Sequence, residues 1–250
     1  MKAELKRVVR KLPQPAQEIS RRAYRRSQRI YRSPATPYAR TRISLGVKPL
    51  SFAWGGDRGQ EIARYYVEEL FLREFAKDIH GHCLELSSDR YTSRFGEKAR
   101  IAKIDILNLE HGNPNTTIRA DLTKPNDIPD NTFDCIIFTH ALHVIYEFDK
   151  AIADLYRILR PGGVLLVAVP HVSMCDPDER ELWRFTQEGL RVALAHSFDD
   201  ENITMRAYGN SLTAAGQIRG LAAHEFTKRE LHRHDLRFAV DICARAMKTY

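Results

Sequence analysis

Residues 159–169 read Leu-Arg-Pro-Gly-Gly-Val-Leu-Leu-Val-Ala-Val, and this stretch constrains the fold more than any other. Just before it, Lys150–Leu159 sets Ile152, Leu155, Ile158 and Leu159 at helical spacing. Proline cannot continue that helix, and Gly162 and Gly163 tolerate the positive φ of a sharp turn. Val164–Val169 then runs apolar at every position, as a strand does when both of its faces are covered. A helix, a turn and a doubly buried strand in succession make one unit of a parallel sheet.

The same alternation extends in both directions. Strands are expected at His82–Leu86, Ile101–Leu109, Thr116–Ala120 and Phe133–Phe138, and after Val164–Val169 at Ile203–Ala207 and Phe238–Ala244. A short helix or turn fits Arg90–Lys98, and a helix fits Gln187–His196. Ahead of them, Asp57 with Gln60 three residues on resembles a helix start. Apolar residues from Ile62 to Ile79 then recur at four-residue spacing for about five turns. The reading is an α/β fold with a mainly parallel, seven-stranded, doubly wound sheet and helices on both faces.

Charge divides the chain unevenly. Residues 1–48 carry fourteen Lys/Arg against Glu4 and Glu18, a net of +12, whereas the whole chain is +7 and the remainder therefore −5. Residues 2–12 set Leu5, Val8, Val9 and Leu12 on one helical face between cationic ones. Residues 16–32 can form a second, arginine-rich helix, and 33–50 form a linker marked by Pro34 and Pro37. The expected organisation is a basic helical N-terminal arm and linker, 1–48, and a folded domain, 49–250. An apolar stripe between cationic faces suits an anionic membrane surface or an acidic partner, so residues 1–32 read as an address or tether. No apolar run approaches the ~20 residues of a membrane span, and no apolar segment follows the basic N-terminus to make a secretory signal. Cys83, Cys135, Cys175 and Cys243 are far apart and make no C-x-x-C pair, which argues for a reducing, cytoplasmic setting, possible membrane-peripheral attachment aside, without disulfides or a zinc site.

Ligands of such a sheet bind outside the carboxyl ends of its strands. Those ends carry Glu85 with the run Ser87–Arg90, then Glu110, Asp121, and Thr139 with His140 and His143. Acids closing the second and third strands suit a nucleoside, one accepting ribose hydroxyls and the next an exocyclic amine. His140 and His143 could join an acid at a metal, but no third ligand has the spacing. Asp134, opening the fourth strand, suits a structural hydrogen bond.

Asp121 through Ile137, followed by Leu159 through Leu166, resembles the class I S-adenosylmethionine (SAM)-dependent methyltransferases, most nearly their bacterial type 11 subgroup. Asp57-Arg58-Gly59 with Arg64-Tyr65-Tyr66, Tyr91-Thr92 with Arg94-Phe95-Gly96, Trp183 through Thr186, and Tyr208-Gly209-Asn210 extend the resemblance over roughly residues 50–247. It implies a Rossmann-like fold, SAM as cofactor, and a methyl transferase often standing alone or fused to sugar-transferring enzymes. The expected acceptor is therefore a small molecule or glycan, methylated on oxygen. Carried over residue by residue, Glu85 takes the acid of the first motif and Ser87 the first glycine place of its turn. Glu110 (or Asp105) takes the ribose acid, Asp121 the acid near adenine, Leu122 packs on the ring, and Thr139 lines the methionine end. Arg58 or Tyr65 is placed near the cofactor carboxylate, and His140 and His171 are the candidate general bases.

The sequence departs from the family at the glycine-rich turn, whose three glycine places hold Ser87, Asp89 and Tyr91. Ser87 suits that turn where the local φ is negative. A catalytically silent relative that binds or regulates a partner is the alternative from a different class. RNA methylation is a third reading, with the arm on phosphates, but no Asn/Asp-Pro-Pro-Tyr motif or Pro-Cys pair supports base methylation.

Overall fold

A computed structural model describes residues 46–109, 112–176 and 180–249. The two arm helices expected within 1–32 lie outside the described residues. Seven strands form one sheet: β1 (Gly81–Leu86), β2 (Ile101–Asn108), β3 (Ile118–Arg119), β4 (Phe133–Thr139), β5 (Leu159–Pro170), β6 (Ile203–Tyr208) and β7 (Asp241–Met247), in the order β3-β2-β1-β4-β5-β7-β6. All neighbours are parallel except β7, which runs antiparallel to both β5 and β6. This is the Rossmann-like sheet that the resemblance implies.

The apolar run of β5 shows why both faces need cover. Leu165, Val167 and Val169 belong to one buried cluster, while Val164, Leu166 and Ala168 belong to the other. Alternate strand residues point to opposite faces, and each fully buried Val or Leu is worth about 1.5–3 kcal/mol over exposure. Helices α3 (Phe148–Ile158) and α4 (Gln187–Ala195) cover the first face through Ile152, Leu155, Ile158, Leu190 and Leu194. The second is covered by α1, α5 (Ser211–Arg219) and α6 (Lys228–Leu231). Between β1 and β2 lies α2 (Arg90–Phe95).

Helix α1 corrects the expectation of five regular turns. It begins at Ile62, because Asp57 accepts a hydrogen bond from Ser51 Oγ (2.5 Å) within a turn rather than opening the helix. It consists of an α turn Ile62–Tyr65, a π segment Tyr66–Phe71 and an α turn Leu72–Glu74. The wider π turn buries Glu68, which accepts from Gln60 Nε2 (3.0 Å), Arg90 Nη2 (2.5 Å) and Arg94. That carboxylate ties α1 to α2.

Strand β7 lies three residues later than expected. Residues Leu236–Phe238 form a 3₁₀ turn capped by Asp235, and the strand starts at Asp241. Helices α5 and α6 were not expected; Asn210 caps the first, accepting from Leu212 and Thr213, and a Thr227–Glu230 capping box opens the second. Gly81 opens β1 at φ +65°, where a Cβ would lie 2.2 Å from Asp134 Oδ2. Asp134 there accepts the His82 N–H (2.7 Å) and pairs with Arg160 (2.8 Å).

Strand order reverses between β1 and β4, which neighbour each other while their connections run to opposite halves of the sheet. The carboxyl ends of β1, β2 and β4 therefore open onto one crevice.

Candidate active site at the switch point of the sheet

The crevice holds a cavity of about 590 Å3. Glu85, Ser87, Thr139 and His140, four of the residues singled out by sequence, line it together. Arg64, Arg90, Asn108 and Arg180 also line it; the first two stood in sequence motifs without an assigned role, and Asn108 and Arg180 were not singled out.

Glu85 is buried and faces α2: Oε1 accepts the Tyr91 N–H and Oε2 the Thr92 N–H, each at 2.8 Å. Burial raises its carboxyl to about 7 against the opposing pull of those two bonds. Its role is to fix the start of α2, and with it the turn that follows β1. In that turn Ser87 adopts φ +61°. The condition of a negative φ is therefore not met: serine occupies the left-handed conformation that glycine holds at no steric cost. The turn is braced by Ser87 N–H to Leu107 O (3.1 Å) and Asn113 Nδ2–H to Ser87 O (2.7 Å).

His140, beyond β4, is the second left-handed residue of the site, at φ +50°, with its N–H on Ala168 O (2.7 Å). Its Nε2 lies 3.1 Å from Asp241 Oδ2, and 33% of its side chain stays exposed while Asp241 is fully buried. A carboxylate can only accept, so Nε2 carries the proton and Nδ1 keeps its lone pair. Burial opposes a charge on this ring, but the Asp241 carboxylate outweighs it and raises the imidazole above the ordinary histidine value. His143, three residues on, is buried; burial and the neighbouring His140 push it down to about 4. Among the described residues no cluster of His, Cys, Asp or Glu could hold a metal ion.

The structure does not bring the other expected residues to the cavity. Arg58 is buried in an ion pair with Glu225, and Tyr65 turns away to His232, with Oη 2.8 Å from Nε2. Arg64 stands where α1 meets the cavity instead. His171 Nδ1 donates to the Phe185 carbonyl (2.7 Å), away from the lining. Asp121 closes a tight turn, accepting from Thr123 N and Oγ1 (3.0 and 2.7 Å) with Lys124 beside it, which holds it at about 2. Leu122 is buried at a separate, smaller cleft. Asp105 is mid-strand, paired with His82 and Lys103, and Glu110 lies outside the described residues. The end of β2 presents Asn108, whose Nδ2 is committed to Thr116 Oγ1 (2.8 Å), leaving its Oδ1 as an acceptor.

These groups suit SAM in kind. Asn108 Oδ1 can accept from ribose hydroxyls, Leu107 and Leu109 offer apolar surface to a base, and the Arg64 guanidinium can meet a carboxylate. The family described as "Methyltransferase domain" matches residues 67–167. The ubiquinone/menaquinone biosynthesis C-methyltransferase UbiE of Pasteurella multocida is 45% identical over 49 residues, 20% of this chain and 18% of that protein. Its Escherichia coli counterpart is 54% identical over 39 residues, 16% of either chain. The chain thus matches under a fifth of the length of these curated relatives. A putative S-adenosylmethionine dependent methyltransferase from Listeria monocytogenes superposes at TM-score 0.49 and 13% identity, over 76% of this chain and all of that one. The family match thus extends over residues 67–167, about two fifths of the chain, and is a match to a methyltransferase domain.

Proposed function

We propose that this protein transfers the methyl group of SAM to a small-molecule or glycan acceptor, on oxygen, with His140 as general base. The observation that carries the reading is the single cavity that joins Ser87, Asn108 and Arg64 to the half-exposed, Asp241-backed ring of His140. Bound SAM supplies a methyl already activated on a sulfonium, so the protein's main task is alignment.

Asn108 and Arg64 hold the two polar ends of the cofactor, and Glu110 is proposed as a further ribose acceptor. Glu85 acts one step removed, by holding the turn at Ser87 and the start of α2. Thr139 lines the reacting end. His140 takes the acceptor's proton on Nδ1, while Asp241 fixes the tautomer and stabilises the imidazolium that forms. His171 has no part in this arrangement, since its Nδ1 proton is spent on Phe185 O.

The left-handed Ser87 also motivates a second reading, a methyltransferase fold that no longer binds its cofactor. One experiment separates the two. S-adenosylhomocysteine, the demethylated product, is expected to raise the melting temperature of the full-length chain. No stabilisation at millimolar ligand refutes the enzyme and leaves the silent fold. Carbon NMR of a labelled product then decides the acceptor atom, which matters because the UbiE relatives are named C-methyltransferases.

A further inference from the structure

The arginines of the cavity are unequally committed. Arg90 is paired with the buried Glu68 at 2.5 Å. Arg64 touches Glu61 only through Nε, at 3.4 Å, and its two terminal nitrogens make no hydrogen bond among the described residues. Arg180 has no ion pair among the described residues. Among the described residues the sole acid on the lining is Glu85, and both of its oxygens already accept backbone N–H groups. Among the described residues, the terminal nitrogens of Arg64 and the guanidinium of Arg180 therefore face one cavity without an acceptor. They are not a sample of a basic body, because residues 49–250 sum to −5.

Position strengthens the point. Arg64 is 36% exposed, so much of its hydration is lost without replacement. It lines the same cavity as His140. Arg180 is exposed, but the loop that carries it is pinned: the Leu182 and Trp183 N–H groups both donate to the His143 carbonyl, at 2.8 and 3.0 Å. The cofactor brings one carboxylate, which satisfies one fork. It also brings a sulfonium and an ammonium, so the loaded site is more positive than the empty one. The second fork requires an anion from the acceptor. A guanidinium matches planar carboxylates and phosphates through two parallel N–H donors.

We infer that the acceptor is an anion, a small molecule bearing a carboxylate or phosphate that Arg180 holds in the cavity lined by His140, the Arg64 fork being taken by the cofactor carboxylate. Among glycan acceptors this selects acidic or phosphorylated sugars over neutral ones. The inference rests on the methyltransferase reading above.

The test uses the full-length chain saturated with S-adenosylhomocysteine and follows the melting temperature on addition of inorganic phosphate, benzoate, or benzamide as the neutral control. At ten times a millimolar dissociation constant, an anion is expected to raise the midpoint by about 3 °C. A larger response to phosphate points to a phosphorylated acceptor, and a larger response to benzoate to a carboxylic acid. Arg180→Gln should abolish the shift. A benzamide response equal to the benzoate one, no response to either anion, or a response that survives the substitution overturns the inference. The last outcome assigns the anion to the basic residues 1–48. Failure of S-adenosylhomocysteine itself to stabilise the chain is a different result, and sinks the methyltransferase reading beneath.

Discussion

Replacing His143 by leucine should make the protein more resistant to mild acid. His143 is buried, and its Nδ1 has no hydrogen-bond partner among the described residues. Burial, with His140 beside it, holds the ring at about 4 against an ordinary value near 6.5. The folded state therefore disfavours the proton that the unfolded chain takes up. Stability from this group is complete above pH 6.5 and is lost as pH falls toward 4. With those two values the linkage relation gives a loss of about 2 kcal/mol between pH 7 and pH 5. Leucine cannot titrate, and at pH 7 it trades an unpaired buried nitrogen for a fit of similar size, a change within ~1 kcal/mol. Urea unfolding of both proteins at the two pH values measures the difference. With slopes typical of a chain this size, the wild-type midpoint should fall by about 1 M more than that of His143→Leu. Equal shifts in the two proteins would refute the argument, and would mean that His143 is hydrated or paired when folded.

Four more outcomes follow from the geometry. Gly81→Ala should destabilise by about 2–4 kcal/mol, from the left-handed backbone and the displaced Asp134, and by clearly less in an Asp134→Ala background; chemical denaturation of the double-mutant cycle checks it. Ser87→Gly should leave stability unchanged or raise it by up to ~1 kcal/mol, whereas Ser87→Val should cost at least as much, because a β-branched side chain resists positive φ. In Asp241→Asn the titration of His140, followed by NMR of the imidazole ring, should move to lower pH, and an unmoved curve would dissociate the pair. Lys248→Met should cost about 1–2 kcal/mol in thermal unfolding, since Nζ donates to the carbonyls of Tyr156 and Leu159 (2.9 Å each) at the end of α3.

The elements with an unmistakable period were legible in the sequence. Val164–Val169 has no alternative to a doubly covered strand, and Ile152, Leu155 and Ile158 mark the buried face of α3. The motif frame also located the cavity, because Glu85, Ser87, Thr139 and His140 all sit at strand ends. What escaped was set by distance. Arg58 and Arg64 are six residues apart on the same segment, and only the partner, Glu225 in one case, decides which of them reaches the site. Asp241 reads as an ordinary strand residue until β7 brings it to His140. The sign of φ at Ser87 is likewise fixed by tertiary braces, Leu107 and Asn113, rather than by serine's own preference. Helix α6 is a different kind of miss: its Thr227–Glu230 capping box was visible in the residues, but a helix of four residues has no period to support it.

The antiparallel β7 has a consequence in time. His140 and Asp241 are 101 residues apart, and they meet only after β7 has slotted between β5 and β6, a closure over long loops that forms slowly. A chain emerging from the ribosome can assemble β1 to β5 and shape most of the crevice while His140 still lacks the aspartate. The final docking step thus completes the His140–Asp241 pair, so the proposed proton acceptor gains its partner only once the sheet is whole.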